Sequence, residues 1–221
     1  MNDQDKSFID ALLNESPSVD SYQSSSPLLE QLIDNILSEG GSESEAIESL
    51  KETMLQEFVD WNEVRLVSPD RLASYFQKIN DGDYKRTALQ ALLNKIFSRS
   101  GSLDYQFLTD FETNDLEDYL TGIMELRENT IKRIILRVFK KTVPPITTDH
   151  EVVLEIAGSS LIPGSEEIKE VFKDYEVEQL EGIQMLLDTI VKEDQVGRDQ
   201  TQISSVDDFN SKTLKKVLAK V

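Results

Sequence analysis

The chain has no cysteine, one histidine and one tryptophan among its 221 residues. Without thiols it forms no disulfide, holds no thiolate zinc or iron–sulfur centre and has no cysteine nucleophile. A single imidazole excludes every mechanism that needs two. Cations are scarce as well: 23 Lys and Arg stand against 42 Asp and Glu, a net charge of −19, so the average field of the molecule repels phosphate backbones. Apolar runs are short. None approaches the ~18 residues of a membrane span, and the acidic start MNDQDKSFID lacks the basic region of a signal peptide. The expectation is a soluble, cytoplasmic protein with no membrane partner, no cofactor, no metal site and no evident small-molecule substrate.

What is present is unevenly distributed. Residues 1–60 carry 14 acidic and two basic side chains, so most of the negative excess lies in the first quarter. Arg127 to Lys141 (RENTIKRIILRVFKK) is the reverse, with six basic side chains against Glu128 alone. That stretch makes Arg127, Lys132, Arg133, Arg137, Lys140 and Lys141 the candidate anion or DNA contacts. The alternative is a basic helix that balances the protein's own acid.

The pattern predicts a tail followed by helices. Residues 1–28 read as a flexible acidic, Ser-rich arm, because ESPSVDSYQSSSP is too weakly apolar to offset its ordering entropy. Phe8, Leu12 and Leu13 are spaced for a short docking helix ahead of that linker. From Leu28 a 3.6-residue period begins: Leu29, Leu32, Ile33, Ile36 and Leu37 form one stripe, ended by Gly40-Gly41. Ser44 to about Asn62 continues as a second amphipathic helix. Ser68-Pro69 starts a third, a fourth runs from near Asp83 to Gly101, and Thr113-Asn114-Asp115 caps a fifth. The basic helix opens at Glu128 or Asn129, runs through Phe139 and is ended by Pro144-Pro145. Thr147 or Thr148 caps a short helix ending at Gly158. Helices near 165–173 and 176–193 follow, and residues 196–221 read as a polar linker and a last basic helix near 206–219. Strand signals are scarce, and the class is all-α.

The string Phe58-Val59-Asp60-Trp61-Asn62-Glu63-Val64-Arg65, then Ser68-Pro69, Lys95-Ile96-Phe97, Gly101-Ser102-Leu103 and Phe107-Leu108, resembles the N-terminal half of endonuclease III-like proteins. These belong to the helix-hairpin-helix superfamily of base-excision DNA glycosylases. The resemblance implies a bilobal all-α domain over residues 29–195, with a cleft into which a damaged base is flipped.

The residues that resemblance would make catalytic are missing. The family hairpin reads approximately Leu-Pro-Gly-Val-Gly-x-Lys-Thr-Ala, with glycines that admit a DNA phosphate and a nucleophilic Lys. The matching stretch here is Ile123 to Ile131, with Glu125 and Arg127 in place of the glycines and Asn129 in place of the Lys. An amide forms no Schiff base. The family's catalytic Asp, 18 residues on, falls on Thr147, which has no charge to stabilise an oxocarbenium-like centre. Catalytic residues are therefore expected to be absent, with Asn129 and Thr147 as the degenerate positions.

Two readings follow. One is a non-enzymatic interaction or regulatory protein with an unidentified protein partner, for which DNA is at most a weak ligand. The other is an active glycosylase or abasic-site lyase whose chemistry has moved, to Lys132 or to Asp149. His150, Trp61, Asp60 and Glu63 read as structural: a helix-start polar residue, a core aromatic packed with Phe58 and Met54, and two carboxylates with no metal-binding pattern.

Overall fold

The computed structural model describes residues 2–19, 27–39, 44–196 and 211–221. Every regular element among them is a helix, as the apolar periodicity requires. The chain divides into two compact units. One is residues 24–134, and the other joins residues 1–23 to residues 135–221.

The first of these begins with α2 (Leu28–Leu37) and α3 (Ser44–Glu57). The α2 stripe predicted from spacing is buried as a set, each such side chain contributing about 1.5–3 kcal/mol by leaving water. The Gly40-Gly41 stop lies outside the described residues. The expected single helix from Ser44 to Asn62 is two: α3 ends at Glu57 and α4 (Trp61–Leu66) starts afresh. The break has a local cause. Asp60 is extended and its carboxylate accepts the Glu63 N–H at 2.9 Å, while the Glu63 carboxylate accepts the Val59 N–H at 2.7 Å. This reciprocal cap satisfies two orphan donors and holds the chain out of helix at Val59 and Asp60.

α5 (Pro69–Phe76) has Ser68 before it and Pro69 at its first position, as expected. α6 (Gly82–Ser100) follows a tight turn in which Asp81 has φ 54°. Gly82 is obligatory there, because a Cβ would sit 2.1 Å from the Phe76 carbonyl oxygen. Gly101 ends α6 in the left-handed region, its N–H bonded to the Phe97 carbonyl at 2.8 Å. A 3-10 turn over Gln106–Asp110 leads to α7 (Thr113–Thr121), preceded by Glu112 rather than capped by a side chain from Thr113 to Asp115. α8 (Glu128–Arg137) closes this unit, the division falling within it, and it stops two residues before Phe139. Trp61, Phe58, Met54, Phe76, Leu89 and Leu93 are among the buried residues of one continuous core.

The second unit contains a correction. Residues 3–15, placed within a flexible arm, form α1 (Asp3–Glu15) with Phe8, Ile9, Ala11 and Leu12 buried, so the short docking helix expected at Phe8 and Leu12 is there, longer than expected, and the arm is not flexible over it. α1 packs on α11 (Val177–Val196) and α12 (Lys212–Leu218). Asp5 fixes the helix start: its carboxylate accepts the Ser159 hydroxyl at 2.7 Å, the Ser160 N–H at 2.8 Å and the Ser160 hydroxyl at 2.6 Å. Glu15 pairs with Lys216 and Lys220 at its other end. Linker residues 20–26, and residues 197–210 of the predicted C-terminal segment, lie outside the described residues. Between these elements run a 3-10 turn at Thr148–His150, α9 (Glu151–Ile156) and α10 (Glu166–Phe172). Thr147 is the cap, as its type and place suggest.

Candidate functional site

Arg127, the first of the candidate anion contacts, lies immediately before α8. Its guanidinium lies 3.9 Å over the Tyr84 ring and contacts Asp81 Oδ2 at 3.0 Å and Glu39 Oε1 at 3.3 Å. The Tyr84 hydroxyl donates to Glu39 Oε2 at 2.8 Å, accepts the Arg127 backbone N–H at 3.3 Å and lies 2.9 Å from the Thr130 hydroxyl. Glu39 is 4% exposed and Lys85 is fully buried. The end of α2, the start of α6 and the start of α8 thus converge on one polar cluster with charges of both signs.

The electrostatics follow from burial. Desolvation raises the Glu39 carboxyl above its ordinary value, against the Tyr84 hydroxyl and the cations Arg133 and Arg127, which favour its charged form. Desolvation, seconded by Glu39, pushes the Tyr84 phenol up to about 12. It also pulls the Lys85 amine down to about 8, with Asp81 and Glu39 opposing.

The other sequence-predicted contacts are also drawn into the chain's own interactions. Asn129, at the nucleophile position, is buried. Lys132 is buried and paired with Glu117, and Arg133 is buried beside the Glu39 cluster. Arg137 and Lys140 share Glu181, at 3.0 and 3.4 Å. Lys141 is half-buried, and its backbone N–H bonds to the Ile135 carbonyl at 3.1 Å. Thr147, in the other unit, is fully buried and builds a capping box with His150: its N–H donates to His150 Nδ1 at 3.1 Å. The remaining His150 nitrogen, Nε2, faces Asp188 Oδ1 at 3.3 Å. Asp149 is exposed.

A second feature of the 24–134 unit is a cavity of about 460 Å³. Leu29, Trp61, Phe97 and Leu103 supply its apolar walls, and Asp60 is the one charged residue lining it. These are largely the residues that carry the family resemblance. The Trp61 indole N–H donates to Glu30 Oε1 at 2.6 Å, which fixes the ring. Sequence reasoning named Trp61 and Asp60 but not the cavity, since spacing shows which residues are buried and not where packing is incomplete.

Glu39, Asp81, Tyr84 and Lys85 were missed as a site. One signal was available: Lys85 falls in register with Leu89, Leu92 and Ile96 on the buried stripe of α6. A lysine in that register has to find counter-charges inside. Among the described residues there is no three-ligand His, Asp or Glu group suited to a metal ion, and no helix long and apolar enough to cross a membrane. Compared with known proteins, the chain matches no family model and no curated sequence.

Proposed function

We propose that this chain is a catalytically degenerate, endonuclease III-like helical protein that acts without chemistry, as an interaction or regulatory component. The observation that supports the reading is the fate of Arg127. A hairpin that binds phosphate offers bare backbone N–H groups. Here the corresponding position carries a guanidinium held by Glu39 and Asp81, and the backbone N–H of the same residue is spent on Tyr84. Asn129 has no nucleophile to offer, and the Lys132 amine lies against Glu117. Thr147 serves as a cap.

The reading of a displaced lyase has one observation of its own. Lys85 has the lowered amine that Schiff-base chemistry uses, although it is fully buried. Both readings meet in one experiment: incubation with a duplex containing a single abasic site, at low salt and with borohydride present. No trapped adduct at high protein concentration is the expected result. An adduct that disappears in Lys132→Ala or Lys85→Met would establish the lyase instead.

A further inference from the structure

The cavity beside Trp61 has a chemistry that the glycosylase comparison does not use. Its volume of about 460 Å³ lies in the range of sites for small organic groups, roughly 300–1,000 Å³. Its walls are an indole, a phenyl ring and two leucines, and its only charge is the Asp60 carboxylate. Aromatic faces attract cations through their quadrupoles, and an adjacent carboxylate adds a counter-charge. The nearest further charges are mixed. Glu30 is bonded to the Trp61 indole and Glu63 is locked into the Asp60 cap. Arg65 sits 3.8 Å over one face of Phe97, held by Asn62 at 3.1 Å and Asn94 at 3.2 Å. Lys51 lies 4.0 Å from Glu30 Oε2 and Arg71 interacts with Glu63, so the outer charges balance and Asp60 is the carboxylate left to the cavity lining, while Arg65 already occupies one face of Phe97.

We propose that this cavity is a binding site for an alkylammonium cation, seated between Trp61 and the Asp60 carboxylate. A free organic amine and the side chain of a lysine or methyl-lysine in a partner protein share this chemistry. The site is independent of whether the chain acts on DNA, and borohydride trapping is silent about it, so the two readings fail separately.

Trp61 is the chain's only tryptophan, so the emission comes from one residue, which lines this cavity and packs in the core behind it. The experiment titrates the full-length protein with tetramethylammonium chloride, against sodium chloride at equal ionic strength. The uncharged isostere 3,3-dimethyl-1-butanol and the anion 3,3-dimethylbutanoate serve as shape controls. A saturable change with the cation and none with either control is expected. Asp60→Asn keeps the oxygen that caps Glu63 and so spares α4; it should weaken the cation by about three- to five-fold, the scale of an exposed charge pair. Ser102→Phe, an exposed substitution at the rim, should abolish the response without changing the thermal midpoint. An unresponsive tryptophan, an equal response to the neutral alcohol, or an undiminished response in Asp60→Asn would each overturn the proposal. A second arm compares tetramethylammonium with a short peptide bearing one trimethyl-lysine. Binding tighter by about ten-fold or more assigns the site to a protein side chain, and equal binding assigns it to a free amine, both within the proposal; a peptide that leaves the emission unchanged while the free cation shifts it also selects the free amine.

Discussion

Arg127 holds its guanidinium 3.9 Å over the ring of Tyr84 while its backbone N–H donates to the hydroxyl of that same tyrosine at 3.3 Å. One tyrosine thus fixes both the side chain and the main chain of the residue that opens α8. Removing the guanidinium leaves the buried Glu39 short of a counter-charge, so Arg127→Ala should destabilise by about 1–3 kcal/mol. Urea unfolding measures this. Arg127→Gly, which introduces the glycine of the proposed hairpin pattern, should lose as much and gain no affinity for an abasic duplex.

The buried Lys85 makes stability depend on alkaline pH in an unusual direction. Its amine is near 8 in the folded chain and near 10.5 when unfolded, so between those values the unfolded state binds more protons and stability rises with pH. Well below pH 8 the buried ammonium imposes its full cost, about 3 kcal/mol. The urea midpoint of the wild type should climb from pH 7.5 to 9.5 relative to that of Lys85→Met. Parallel curves for the two proteins would refute this account. Above pH 10 the raised Tyr84 phenol works the other way, because the unfolded chain loses that proton first.

Asp5 gives a dependence of the same sign in the acid range. Burial alone would push its carboxyl up, but hydrogen bonds from Ser160, Ser159 and Asn2 outweigh it and hold the carboxyl below its ordinary value of 3.8. Its contribution is therefore complete above about pH 4 and is lost as the pH falls through the folded value. Asp5→Ala at neutral pH should cost about 1–3 kcal/mol, since it removes three hydrogen bonds to a charged group. Limited proteolysis should then cut within residues 3–15 while leaving the 24–134 unit intact.

The Asp81–Gly82 turn is a steric prediction. Gly82→Ala would drive a Cβ to 2.1 Å from the Phe76 carbonyl oxygen, and the backbone of α5 would have to move. A loss of about 2 kcal/mol or more is expected, together with altered near-ultraviolet absorption from Tyr84. Gly101→Ala, where nothing lies within 4 Å, isolates the conformational part and should cost about 1 kcal/mol.

Local signals were legible in the sequence and non-local ones were not. The stripes of α2 and α6, the Ser68-Pro69 start, the Gly101 stop and the Thr147 cap were read from spacing and residue type, because each depends on neighbours within a turn or two. The break at Asp60 was also local, an Asp-x-x-Glu cap, but it was masked by an apolar period that runs on through Phe58 and Trp61. That Phe8 and Leu12 lie on a docking helix was legible from their spacing, but its partners were not, since α11 and α12 follow about 160 to 210 residues later. The same holds for the Glu39–Tyr84–Arg127 cluster, whose members come from three separated segments. The basic stretch was visible at once, yet spacing could not show that Glu39, Asp81, Glu117 and Glu181 would take up its charge.

The 24–134 unit interrupts the other unit in the chain, and this sets an order of events at the ribosome. α1 is made well before its partners α11 and α12, and Phe8, Ile9 and Leu12 are unshielded in the interval. At about 5–20 residues per second the wait is roughly 10–40 s, long enough for the inserted unit to fold first. Until α11 and α12 follow, the apolar face of α1 lacks the surface that buries it in the folded chain.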